Sequence, residues 1–131
     1  EHIGIAVKDL DVSNVLFEKL FGAPAYKSEV VESEGVTTSF FLNGPNKIEL
    51  LAATNPESPI AKFIEKKGEG IHHIAFDVDD IDLTFTILKE NGFQILEERP
   101  VFLNFWDNGC SYFNILGPDG ERLEFNQIIK N

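Results

Sequence analysis

The sequence predicts an α+β fold in which two tandem β-α-β-β-β modules form a curved mixed sheet around a metal cleft. Three observations predict this fold. The chain contains an internal repeat, apolar residues within each copy follow the two-residue period of strands, and a histidine and a glutamate occupy matching places in both copies. At 131 residues, the chain has the length of one domain.

The start of the repeat is carried by EHIGIAVKDLD at the beginning of the chain and HHIAFDVDDID near its middle. When the two stretches are aligned, His2 matches His73 and Asp9 matches Asp80, an offset of 73 − 2 = 71 residues. A repeat of this length predicts two copies of one supersecondary unit.

The end of the repeat is carried by GPNKIEL and GPDGERLEF. Each begins with a Gly-Pro turn and continues as an apolar strand with one acidic residue inside, which is Glu49 in the first copy and Glu124 in the second. The offset is now 124 − 49 = 75 residues, which predicts a few extra loop residues in the second copy.

The first copy is predicted to be a strand, a helix and three further strands. Asp9 or Asp11 can cap the helix, and Gly22 is a typical residue after a helix end. The predicted strands cover residues 1–7, 25–31, 36–42 and 47–52, the helix covers 12–20, and a short second helix covers 60–66.

The second copy is predicted to repeat this order with one longer loop. Asp80 or Asp82 can cap its helix, which runs to about Asn91. The predicted strands cover 71–78, 93–97, 110–116 and 121–128, and the longer loop covers 100–109. We expect one domain over 1–131, with module one at about 1–53, a connector at 54–69 and module two at 70–131.

Strand alternation predicts where the repeated polar side chains point. Successive strand residues face opposite sides, so the two histidines and the two glutamates all lie opposite the large aliphatic residues. We expect the aliphatic face, which includes Ile5, Ile74 and Phe76, to pack on helices. The polar face, with the small residues Gly4 and Ala6, is expected to line a concave surface.

Composition restricts the classes of partner. The net charge of −11 argues against nucleic acid and anionic membranes, and no apolar run approaches the ~20 residues of a membrane span. Cys110 is the only cysteine, which suits a cytoplasmic protein without intrachain disulfides. Because the chain has no Met, we expect that the first strand begins before Glu1 in the native protein.

Two imidazoles and two carboxylates that meet in one cleft form a site for one divalent metal ion. Histidine nitrogen and carboxylate oxygen suit Co, Zn, Ni, Mn or Fe(II) about equally, so composition does not choose the metal. A bound metal can polarise a substrate carbonyl while a nearby carboxylate moves a proton. His72 faces away from this set by alternation, and we expect it to be structural.

The paired modules with the order His, Glu, His, Glu resemble the vicinal oxygen chelate superfamily, which includes glyoxalases, bleomycin resistance proteins and dioxygenases. Within it, HIGIAVKDLD, KIELL and especially SPIAKFIEKKGEGIHHIAF resemble the methylmalonyl-CoA epimerase family. The resemblance implies metal ligation by His2, Glu49, His73 and Glu124. It also implies transfer of the C2 proton of methylmalonyl-CoA through a metal-stabilised enolate, with Glu124 and Glu49 as catalytic carboxylates.

The partner expected from this resemblance is a small-molecule substrate of the acyl-CoA class. The short edge strands and open sheets of the modules also lead us to expect a homodimer.

Two features keep other functions open. GPDGERLEF, residues 117–125, is more similar to relatives of lactoylglutathione lyase, and Phe105–Trp106 is a place where the pocket can differ. Some epimerases carry a glutamate base three residues after the Gly of the acidic turn, where this chain has Thr38. The alternatives are therefore a glyoxalase-like lyase or isomerase acting on another small carbonyl substrate, and a non-catalytic small-molecule-binding protein.

Overall fold

A computed structural model describes residues 2–105, 108–117 and 121–130 of the chain. Within those residues it contains three α-helices and nine strands of a mixed sheet, which confirms the predicted α+β class. The chain divides into two compact units, His2–His72 and His73–Asn131, and the division falls inside the fifth strand.

The nine strands and three helices have the following bounds. In chain order they are β1 His2–Ala6, α1 Leu10–Phe21, β2 Lys27–Val31, β3 Val36–Asn43, β4 Asn46–Ala53, α2 Pro59–Lys67, β5 Gly70–Asp77, α3 Ile81–Glu90, β6 Gln94–Ile95, β7 Val101–Phe105, β8 Asn108–Leu116 and β9 Arg122–Lys130. None of the helices in the described ranges has the length and apolar character that crossing a membrane requires.

In the first unit the strands lie in the order β2-β3-β4-β1. β1 runs parallel to β4, whereas β3 is antiparallel to both β2 and β4. The two helices pack on opposite faces of these strands. On the α1 face the core consists of Val7, Phe41, Leu50 and Ala52 with Phe17 and Phe21, and on the α2 face it consists of Ala6, Val36, Leu51 and Ile60 with Phe63 and Ile64.

Capping groups fix the start of both module helices. The Asp9 carboxylate accepts a hydrogen bond from the Val12 N–H at 3.2 Å, and Asp80 accepts one from the Leu83 N–H at 3.1 Å. Of the two capping candidates in each copy, the first is therefore the one used. Gly22 ends α1 with a left-handed φ of 76°, a conformation that a side chain disfavours.

In the second unit the strands lie in the order β5-β9-β8-β6, and β7 also pairs with β8. β5 runs parallel to β9, as β1 does to β4 in the first unit. The core under α3 is formed by Ile81, Phe113 and Ile115, and the Phe85 ring meets the Phe113 ring edge-on at 5.1 Å.

The loop predicted over residues 100–109 is wrong. Residues Val101–Phe105 form β7, which pairs antiparallel with β8, and β8 itself begins at Asn108. Pro100 and the run of Asn, Asp and Gly favoured a loop, but the alternating apolar residues Val101 and Leu103 complete an antiparallel pair. Trp106 lies outside the described residues, and so do the side chains of the predicted Phe105–Trp106 feature.

The prediction that the aliphatic face packs on helices is confirmed in the first unit and wrong for part of the second. Ile5 packs in the core under α1, but Ile74 is 37% exposed and Phe76 43% exposed. The reason is that α3 packs mainly against β6, β8 and β9, and the buried cluster beneath it does not include Ile74 or Phe76.

The α1 core predicts a large loss of stability for Phe41→Ala. Phe41 is only 1% exposed and its ring lies 6.0 Å from Phe17 and 6.1 Å from Phe21, so truncation leaves a cavity between helix and strand. We expect the free energy of unfolding to fall by about 3–5 kcal/mol in urea titrations. Leu42 is the next residue in β3 and its side chain is exposed, so Leu42→Ala should lower the free energy of unfolding by only about 0.5 kcal/mol. Equal losses in the two variants would contradict this packing.

Candidate metal centre

The first unit brings His2 and Glu49 together through the parallel pairing of β1 and β4. Gly4 pairs with Glu49, and His2 stands two residues before Gly4 on the same face. Gly4 has no side chain, so the imidazole and the carboxylate can meet above it. His2 Nε2 lies 3.1 Å from Glu49 Oε1.

Both side chains are nearly enclosed. His2 and Glu49 are each 9% exposed, and the edge of the His2 ring meets the Phe40 ring at a centroid distance of 6.1 Å. Removing such groups from water costs several kcal/mol per charge unless they bind a partner or a metal. His2 and Glu49 are each other's partner at 3.1 Å, and this enclosed polar pair beside an apolar ring makes the face a candidate site.

The second unit positions His73 and Glu124 in the same way. β5 and β9 are parallel, Ala75 pairs with Glu124, and His73 stands two residues before Ala75 on the same face. His73 is 5% exposed, whereas Glu124 is half-buried. The small residue between histidine and glutamate is Gly4 in the first unit and Ala75 in the second.

Three of the four predicted ligands form a group that could hold a metal ion. His2, Glu49 and His73 each offer one ligand atom, and these three atoms lie within 4.8 Å of one another. Zn–N and Zn–O bonds are about 2.0–2.2 Å long, so donors on one ion stand roughly 3–4 Å apart and this spacing fits a cation after small adjustments. Among the described residues, Glu124 is not part of that group.

His72 and Cys110 both contact residues that do not belong to the group of His2, Glu49 and His73. The His72 ring lies against Phe63 of α2, edge-on, with centroids 4.9 Å apart. Cys110 is partly buried, and its Sγ lies 3.8 Å from Asn126 Oδ1. The thiol of Cys110 therefore faces polar atoms.

Glu29 was not among the predicted site residues, yet the structure places it on the His2–Glu49 face. Glu29 pairs with Thr38 across β2 and β3, and Phe40, two residues after Thr38, pairs with Glu49. Thr38 is 2% exposed, and its hydroxyl has no hydrogen-bond partner within the described part of the chain. The alternation of β2 could have given the face of Glu29, but only the pairing register gives its neighbour.

A comparison with protein families identifies the fold. The family model of the Glyoxalase/Bleomycin resistance protein/Dioxygenase superfamily matches residues 1–111. The chain belongs to this superfamily. The matched residues include His2, Glu49 and His73, whereas Glu124 lies beyond them.

Several proteins similar to this superfamily member have a named activity. An ethylmalonyl-CoA/methylmalonyl-CoA epimerase of Cereibacter sphaeroides is 38% identical over 72% of this chain and 72% of its own length. The mitochondrial methylmalonyl-CoA epimerase of Bos taurus is 35% identical over 75% of this chain, and the match spans only 57% of the bovine protein. The structure of a variant of Streptomyces coelicolor methylmalonyl-CoA epimerase in complex with 2-nitronate-propionyl-CoA has a TM-score of 0.83 and 27% identity, over 97% of this chain and 92% of that one.

The donor group predicts that Glu49→Gln weakens metal binding in this superfamily member. The amide keeps the shape of the carboxylate but not its charge. Loss of a residue that only hydrogen-bonds to a metal ligand typically lowers metal affinity by roughly 10–100-fold. We expect the affinity for cobalt(II) to fall by at least this much, because Glu49 is itself a candidate ligand. Titration followed by the visible absorption of cobalt would measure this loss. Glu57→Gln, in an exposed loop of the same unit, is the control. Unchanged affinity in Glu49→Gln would exclude Glu49 as a ligand.

Proposed function

We propose that the chain is a metal-dependent epimerase that moves the C2 proton of an acyl-CoA of the methylmalonyl-CoA type. The observation that carries the proposal is the group of nearly buried donors formed by His2, Glu49 and His73. The relatives with a named activity, at 35% and 38% identity, are epimerases of such thioesters. The donor set of imidazole nitrogen and carboxylate oxygen suits a divalent transition-metal ion, and the relatives supply the substrate class.

In this proposal the four repeated residues hold one divalent ion, which is Co, Zn, Ni or Mn. His2 and His73 supply neutral nitrogen, while Glu49 and Glu124 supply oxygen. The ion, when bound, polarises the carbonyl groups of the substrate and so acidifies its C2 hydrogen. Glu124, which is more exposed than Glu49, is the first candidate to carry the proton, and Glu49 is the second.

We also propose that the protein acts as a cytoplasmic homodimer. Support for a second copy comes from the outer side of α1, where Val12, Leu16 and Leu20 are 56%, 58% and 69% exposed. An apolar stripe of this kind is typical of an interface. Sedimentation equilibrium of the purified chain should give twice the monomer mass, and a monomer at micromolar concentration would contradict it.

A glyoxalase-like isomerase or lyase acting on another small carbonyl substrate is the second candidate. It is favoured by Thr38, which stands on the face of Glu49 at the position where some epimerases carry a glutamate base, because a threonine hydroxyl cannot serve as that base. A non-catalytic binding protein is the third candidate, and tight stoichiometric metal binding would count against it.

The epimerase proposal predicts metal-dependent exchange at C2 of methylmalonyl-CoA. In heavy water, cobalt-loaded protein should incorporate deuterium at C2 far faster than the spontaneous reaction, because loss and return of the proton pass through solvent-exchangeable groups. NMR of the C2 hydrogen measures this exchange, and protein treated with a chelator is the control. If protein that demonstrably holds metal gives no exchange, the glyoxalase-like candidate replaces the epimerase.

Substitution of Glu124 tests its proposed role. Glu124→Ala should lower the exchange rate by at least about 10²-fold, the contribution typical of a positioned acid–base group. The far-ultraviolet circular dichroism should stay unchanged, because Glu124 is half-buried and its removal opens no apolar cavity. Glu98→Ala, at an exposed position, should keep the original rate. Retained activity in Glu124→Ala would exclude it from the site.

A further inference from the structure

The proposed epimerisation requires two acid–base groups, because a proton that leaves one side of C2 must return on the other. Strands of the first unit contain two acidic residues among the described positions, Glu49 in β4 and Glu29 in β2. Glu49 belongs to the donor group, so Glu29 is the strand carboxylate of this unit that the metal does not use.

The pairing register places both carboxylates on one face. Glu29 pairs with Thr38 and Phe40 pairs with Glu49, and Thr38 and Phe40 share a face because they are two residues apart in β3. β2 and β4 flank β3, so the backbones that carry the two carboxylates lie about 10 Å apart across the sheet. The side chains of Glu29 and Glu49 thus rise on the same face, one on either side of β3.

Thr38 supplies an independent sign that a ligand belongs between them. Its hydroxyl is on this face, its side chain is 2% exposed, and no partner for the hydroxyl exists within the described residues. A buried hydroxyl without a partner is rare and costs about 1–3 kcal/mol of stability, so such a group commonly forms its hydrogen bond with a ligand or a water. The Glu29 side chain starts directly beside Thr38 on the neighbouring strand, within reach of that hydroxyl.

The neighbours of this space favour an anionic ligand with a carbonyl group. Lys27 lies on the same face of β2, two residues before Glu29, and its Nζ stands 5.2 Å from the centre of the Phe40 ring. The Phe40 ring in turn meets the His2 ring. On this face, the ammonium group of Lys27, the ring of Phe40 and the hydroxyl of Thr38 therefore stand near the two glutamates.

We propose that Glu29 is the second acid–base group of this site and that the Thr38 hydroxyl donates a hydrogen bond to a carbonyl oxygen of the substrate. This inference rests on the proposed epimerase function. The Glu29 carboxylate takes the C2 proton while the C–H electron pair moves into the adjoining carbonyl to give the enolate. A second carboxyl group, for which Glu49 and Glu124 are the candidates, returns a proton to the opposite face of C2. The reverse reaction or exchange with water restores both groups.

The decisive experiment uses each epimer of methylmalonyl-CoA separately, in heavy water, with cobalt-loaded Glu29→Gln. We expect epimerisation to fall by at least about 10²-fold. One epimer should still exchange its C2 hydrogen without inversion, through the remaining carboxylate, and the other epimer should not exchange. The cobalt absorption spectrum and the cobalt affinity should match those of the unmodified chain. Glu32→Gln, in the exposed acidic turn, is the control of equal charge.

Moving the carboxylate to the neighbouring strand gives a second, independent test. The double variant Glu29→Gln/Thr38→Glu has its carboxylate on β3, one strand closer to Glu49. The exchange that is lost in Glu29→Gln should return in part in this double variant. Thr38→Val, which keeps the shape but removes the hydroxyl, should weaken binding of methylmalonyl-CoA by roughly 10-fold and leave cobalt binding unchanged.

The outcomes separate this inference from the function on which it rests. If the unmodified chain is an active epimerase and Glu29→Gln keeps full activity, the role of Glu29 is overturned and the epimerase proposal stays intact. Equal loss of exchange for both epimers, together with altered cobalt binding, overturns it as well, because it shows a general effect on the site. An unmodified chain that holds cobalt but exchanges neither epimer overturns the epimerase proposal and the role of Glu29 with it.

Discussion

The candidate site depends on the parallel pairing of the first and last strand in each module. In both pairs the register sets a residue without a bulky side chain, Gly4 or Ala75, directly beside the glutamate. Because side chains alternate, the histidine two residues earlier shares the face of that glutamate. A slip of one residue in this register would turn the histidine or the glutamate to the opposite face of the sheet. In the first unit that face is the one covered by α1. The ligand set is therefore fixed by backbone hydrogen bonds more than by contacts among the ligands.

The same pairing makes the site costly for the fold. The His2–Glu49 contact is nearly enclosed, and replacing such a pair with apolar residues of similar volume is often neutral or stabilising. Proteins keep groups of this kind where function requires them, and they offset the cost elsewhere. Here the offset comes from the buried cluster on the other side of β4, where Leu50 stands next to Glu49 in the chain and is fully enclosed.

The sequence was enough to predict the elements that the repeat contains and the four polar positions, because a duplicated unit shows its period directly. It was not enough for β7, because that strand forms through its antiparallel pairing with β8 and follows a proline that favours a loop. Nor did it give the exposure of Ile74 and Phe76, which depends on where α3 packs. Glu29 was missed for a related reason. Its relation to Thr38 is a cross-strand register, which no periodicity within one strand reveals.

The two modules repeat the ligands but not their neighbours. In β3 the residue beside Glu49 is Phe40, whose ring meets His2, whereas in β8 the residue beside Glu124 is Asn114. Asn114 is 1% exposed and tied into a polar network: its backbone N–H and its amide donate to the two oxygens of Glu97, and its amide oxygen accepts from Arg122 Nε. Duplication thus places like side chains at matching positions, while divergence of the adjacent strand gives each carboxylate its own surroundings.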